Sequence, residues 1–129
     1  MRVRTEITVA LENEPGRLAH LTRCLAKRQV NILAISVVES SGMGLVRMVV
    51  DKPAIALKML ADSCPMTFAT CEVIEITAPN KVGALADVTA KLARRRVNIE
   101  YLYGSTMSKA RAGVIMKVGN MKVARKILR

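Results

Sequence analysis

The sequence has no tryptophan, two tyrosines and one phenylalanine, so a platform for stacking bases has almost nothing to be built from. Its one histidine is His20, and its three cysteines are Cys24, Cys64 and Cys71. Their odd number and irregular spacing predict neither a disulfide framework nor a zinc set, but small packing residues in a reduced, cytoplasmic protein. No metal or cofactor is expected. No stretch approaches the roughly 18 apolar residues of a membrane helix. The opening Met-Arg-Val-Arg-Thr-Glu leads into no apolar region, so no secretory leader is expected either. Nucleophilic catalysis would have to rely on His20, which no motif surrounds, and no glycine loop is suited to phosphate. The expectation is a protein without enzymatic activity.

The 129 residues are 51% hydrophobic, enough for a packed core. The net charge of +11 is lopsided: residues 1–67 hold nine basic and six acidic groups, residues 68–129 twelve and four. Arg94, Arg95 and Arg96 fall where a helix C-terminus welcomes cations. A basic βαββαβ sheet raises the possibility of RNA binding, but the missing aromatic run argues against it. A solvated basic face is the simpler reading.

Shifted by 67 residues, the chain matches itself: 11 of the 20 positions of Asn13–Ile32 are identical in Asn80–Ile99. The match resumes one residue out of step, with Val46/Val114, Met48/Met116 and Val50/Val118. Two copies of a unit of roughly 65 residues follow, one over 1–70 and one over 71–129. Each alone buries a modest share of its surface, so packing on each other or on a partner is expected.

In the first copy the pattern predicts a strand over 6–12, a helix from Pro15 through Arg28, strands over 32–39 and 45–51 and a helix over 53–63. A short closing strand over 66–71 runs into the first strand of the second copy, 72–78. The second copy predicts a helix over 83–96, strands over 99–106 and 114–118, and a helix over 121–128. The short middle connection predicts an antiparallel hairpin; the helical connections allow parallel neighbours. Right-handed crossovers put both helices on one face. The fold class is α+β: two ferredoxin-like βαββαβ units in tandem, antiparallel sheets with helices on one face. The second copy ends directly after its last helix, so its closing strand is absent and leaves an edge.

The motif Glu12-Asn13-Glu14-Pro15-Gly16-Arg17-Leu18 with Val30-Asn31-Ile32 recurs as Asn80-Lys81-Val82-Gly83-Ala84-Leu85 with Val97-Asn98-Ile99. Over nearly the whole chain the sequence resembles the ACT domain, an amino-acid-binding regulatory module, in its stand-alone tandem form. The resemblance implies a ligand site at Asn13, Pro15, Gly16, Arg17, Leu18, Asn31 and Ile32. In the second copy it implies Asn80, Val82, Gly83, Ala84, Leu85, Asn98 and Ile99. In the serine-binding domain of phosphoglycerate dehydrogenase, contacts come from the turn asparagine and the asparagine opening the next strand. A histidine also stands there two residues before the turn asparagine; Leu11 and Ala78 hold those places here, so serine specificity does not carry over. Ligands in the family sit between two units, so a far wall from the other copy or another subunit is implied.

Chemically the turn suits a zwitterion: glycine allows close backbone approach, the helix start attracts a carboxylate, and asparagine both donates and accepts. Asparagine and glycine also serve turns for purely structural reasons. The expected partners are a free amino acid, a second copy in a homodimer, and a metabolic enzyme as regulated target, with nucleic acid and membrane not expected. Tyr101 and Tyr103 share one strand face, where packing is the simpler role, and the methionines suit adaptable packing.

Overall fold

The computed structural model describes residues 1–129. The elements are β1 (Arg2–Glu12), α1 (Arg17–Lys27), β2 (Ile32–Ser40), β3 (Met43–Val50), α2 (Pro53–Ala61), β4 (Thr67–Pro79), α3 (Ala84–Arg94), β5 (Ile99–Thr106), β6 (Arg111–Val118) and α4 (Met121–Ile127). They form two compact units, Thr5–Cys71, and Glu72–Arg129 together with Met1–Arg4. The predicted α+β class with two ferredoxin-like units is what forms.

In the first unit β3 lies between β1 and β2, antiparallel to both, with Val9 opposite Val46 and Ile35 opposite Met48. The helical connections therefore create no parallel neighbours: β1 and β2 run the same way, but β3 separates them. Alternate residues of β1 and β3 face the helices. Ile7, Val9, Val46, Met48 and Val50 pack with Leu21 and Leu25 of α1 and Ala56, Met59 and Leu60 of α2. Burying this many valine, leucine, isoleucine and methionine side chains, at roughly 1.5–3 kcal/mol each, is the main favourable term in the unit. The second unit repeats the plan, with Ile74, Ile76, Met116 and Val118 against Leu92 of α3 and Ala124 of α4.

Both long helices end alike. Gln29 and Arg96 take positive φ, 60° and 55°. The following N–H groups of Val30 and Val97 bond the carbonyls of Leu25 and Leu92 at 3.1 and 3.0 Å. This is the Schellman arrangement with its apolar contact, and the buried valines explain why Val-Asn-Ile recurs.

Two expectations are corrected. β1 begins at Arg2, four residues before the predicted start. Of these, Arg2–Arg4 belong to the second unit, where the start of β1 is the neighbour of β4 and Arg4 Nε meets Glu75 Oε2 at 3.0 Å. The closing-strand position thought empty is thus filled from the start of the chain, which no local pattern could reveal. Second, Cys24 and Cys64 are not separate packing residues: they form a disulfide across 40 residues of sequence. The helical packing of α1 on α2 brings them together, a contact invisible to cysteine spacing.

Removing residues 1–4 should lower the stability of the chain by about 1–3 kcal/mol, through lost strand pairing and an exposed partner of Arg4. Hydrogen exchange should then quicken first in Glu72–Pro79; unchanged protection there would contradict this pairing.

Candidate functional site

In each unit a strand turns into a helix through glycine. Gly16 and Gly83 both have φ 88°, and nothing lies within 4 Å of where a Cβ would stand. The left-handed backbone, not crowding, calls for glycine, and the space over the turn stays open. Arg17 N–H donates to Glu14 O at 3.3 Å and His20 N–H to Gly16 O at 2.9 Å. In α3 the same roles fall to Ala84 with Lys81 O, 3.3 Å, and Asp87 with Gly83 O, 3.0 Å. Between these bonds the N–H groups of Leu18, Ala19, Leu85 and Ala86 meet no backbone acceptor, and no side chain caps either helix. By contrast, α4 is capped by Asn120, whose Oδ1 accepts from Val123 N–H at 3.1 Å. Two helix starts thus carry unpaired donors and the positive dipole end.

In the second unit the turn opens on a cleft of about 290 Å³. Asn80, Lys81, Ala84, Leu85 and Val88 form one side; Ile76, Leu102, Gly104, Thr106 and Val114 form the floor and far side. The lining is mostly apolar with a few polar groups at the mouth, the usual character of a small-molecule site. Gly104 matters here: a Cβ would stand 2.5 Å from Gly113 O and 3.0 Å from Val114 Cγ2. Its counterpart in the first copy is Val37.

The asparagines divide into two pairs. Asn80 braces the β5–β6 loop: its N–H donates to Ala110 O at 2.9 Å, and Nδ2 donates to Ser108 O at 3.1 Å and Lys109 O at 3.4 Å. Its Oδ1 keeps its acceptor capacity. Asn13 is exposed and its N–H bonds Gly42 O at 3.0 Å. Asn31 and Asn98 stand at the other ends of α1 and α3. Asn31 exchanges bonds with Asp51, 2.8 and 3.0 Å, and Asn98 O accepts from Gly119 N–H at 2.9 Å. An eleven-residue helix rises about 16 Å. A single unit therefore does not bring Asn13 to Asn31, or Asn80 to Asn98.

The other motif residues are also placed. Arg17 spans Glu12 at 3.1 Å and Glu14 at 3.3 Å over the first turn, beside Pro15. Val82 is fully exposed at the second turn, Ala84 is buried, and Leu18 and Leu85 are 40% and 44% exposed. Ile32 and Ile99 pack partly buried against the two cores. The motif reading missed Lys81 as a cleft residue, and the floor. The signal that could have found the floor is Gly104 inside a strand pattern, which marks a close backbone approach.

The duplicated βαββαβ unit with its glycine turn defines a class, the paired ferredoxin-like regulatory module. The chain belongs to the ACT domain pair family, whose profile matches residues 1–129. Its fold is similar to the crystal structure of protein BT0572 from Bacteroides thetaiotaomicron, with TM-score 0.92, 33% identity and coverage of 98% of this chain and 86% of that one. It is also similar to the ligand-free regulatory subunit of aspartate kinase from Thermus thermophilus, with TM-score 0.71, 19% identity and coverage of 100% and 94%. No curated protein matches the sequence. No helix is long and apolar enough to cross a membrane.

Gly83→Ala places an L side chain at φ 88° with space around it. It should cost about 1 kcal/mol, the left-handed penalty, without loss of fold. Chemical denaturation checks this; a neutral result would mean that the turn relaxes away from that φ.

Proposed function

We propose that this ACT pair is a non-catalytic regulatory protein that binds a free amino acid, with the cleft of the second unit as a site. One observation carries the reading: an uncapped helix start opens directly on a mostly apolar cleft that has an amide and an ammonium at its mouth. The ligand's carboxylate would accept from the N–H groups of Leu85 and Ala86, with Lys81 adding attraction. Its ammonium would donate to Asn80 Oδ1, and its side chain would lie toward Ile76, Leu102 and Val114.

The first copy offers the same N–H pair at Leu18 and Ala19, but with Arg17 held by two carboxylates. A carboxylate ligand there would have to draw Arg17 away from Glu12 and Glu14. Asn31, Ile32, Asn98 and Ile99 would reach a ligand as far walls brought by a second copy in a homodimer. Binding regulates by favouring one arrangement over another. In this reading the protein is cytoplasmic, and its basic surplus is a solvated face, not a nucleic-acid site.

The similarity in fold to the regulatory subunit of aspartate kinase favours one further reading, that the regulated partner is an amino-acid biosynthetic enzyme. Co-purification of a catalytic chain would support it.

Calorimetry and thermal shift across the twenty amino acids test the proposal. At a hundredfold excess over Kd, a ligand should add about 2.7 kcal/mol of stability. Asn80→Ala should weaken binding at least about tenfold, the cost of one charge-assisted bond. Asn13→Ala with Asn80→Ala should abolish it, leaving circular dichroism unchanged. Silence across the panel for folded protein would overturn the proposal.

A further inference from the structure

The first unit holds a cluster that the glycine-turn site does not use. His20 and Cys24 are one helical turn apart on α1, and Cys64 lies just beyond the end of α2. The His20, Cys24 and Cys64 ligand atoms all lie within 4.8 Å of one another. Cys24 and Cys64 are disulfide-bonded, and His20 Nε2 stands 3.8 Å from Cys24 Sγ. Burial is graded: Cys24 is 5% exposed, Cys64 half-buried and His20 exposed. Arg28 adds positive charge beside Cys64, its Nη2 donating to Ser63 Oγ at 2.8 Å.

The internal repeat supplies a control. Asp87 and Lys91 hold the places of His20 and Cys24 in the second copy. There α3 packs against α4 with no bridge, as α1 packs against α2. The unit's architecture therefore does not require the disulfide. What the first copy adds is chemistry: two sulfurs of unequal access and an imidazole beside the buried one.

We infer that Cys24, Cys64 and His20 form a redox-active dithiol site that exchanges with small thiols. A thiolate attacks Cys64 Sγ, the more accessible sulfur, forming a mixed disulfide there and breaking the Cys24–Cys64 bond. Cys24 leaves as thiolate and takes a proton from the His20 imidazolium. A second small thiolate then attacks the sulfur of the mixed disulfide that came from the first small thiol. Cys64 is released as thiolate and the small disulfide departs. The bridge gains two electrons, and two small thiols are oxidised to one disulfide; oxidation of the dithiol is the reverse. Bridging ties the middle of α1 to the segment between α2 and β4, so the exchange changes how firmly α1 is held.

The full chain carrying Cys71→Ser, equilibrated in buffers of varied reduced-to-oxidised glutathione ratio, tests this by intact mass and thiol alkylation. The bridged fraction should follow the ratio reversibly. Cys24→Ser should accumulate a glutathione adduct on Cys64, whereas Cys64→Ser should show little on Cys24. His20→Asn, at an exposed position, should slow bridge reduction near pH 7 about tenfold or more, with circular dichroism unchanged. A bridge that resists millimolar reduced glutathione would overturn the proposal, as would two free thiols, Cys24 and Cys64, under oxidising ratios. Stoichiometric zinc retained by the reduced chain through gel filtration would overturn it too, reassigning the trio to a metal. An unaltered reduction rate in His20→Asn would remove the imidazole from the mechanism.

Discussion

The left-handed backbone at Gly16 and Gly83 is the constraint on which the rest depends. With φ at 88°, the chain leaves a strand and enters a helix within a few residues, without a residue whose side chain can fold back on the helix start. The first-turn donors therefore stay unpaired, an unfavourable arrangement in isolation that suits a site for an anion. The other ends of the same helices show the contrast. Gln29 and Arg96 also take positive φ, but there the Schellman bonds and a buried valine satisfy the backbone. One helix end is completed by the chain, and the other keeps its first-turn donors unpaired.

The two copies share this frame and diverge in what surrounds it. In the first, Glu12, Glu14 and Arg17 pair across the turn, and His20, Cys24 and Cys64 cluster behind it. In the second, Lys81 stands at the turn and Asn80 braces a four-residue hairpin loop where the first copy has two residues, Ser41-Gly42. Gly104, in place of Val37, lets Gly113 O and Val114 of the neighbouring strand come close to where a Cβ would stand. Equivalent backbones thus present different chemistry, as expected when a duplicated unit keeps its core and varies its surface.

Much of this was legible in the residues. The offset of 67 exposed the duplication, and period-2 and helical patterns located every element, because apolar faces must alternate as the backbone does. The glycine turns were legible because few residues tolerate that φ. Element ends were less so: the extra strand residues Arg2–Arg4 are paired through Glu75, 71 positions away from Arg4. The cleft floor was missed; the one local signal for it is the glycine at position 104, inside a strand pattern.

By itself, then, the sequence determined the repeated unit, its α+β pattern and the two glycine junctions, all consequences of local backbone preference and periodic burial. Only the tertiary structure decided what completes the second unit's sheet, that Cys24 meets Cys64, and that each turn asparagine stands a helix length from its strand-opening partner. Those are distances between residues far apart along the chain. They follow from how helices pack on a twisted sheet, which no short window of residues contains.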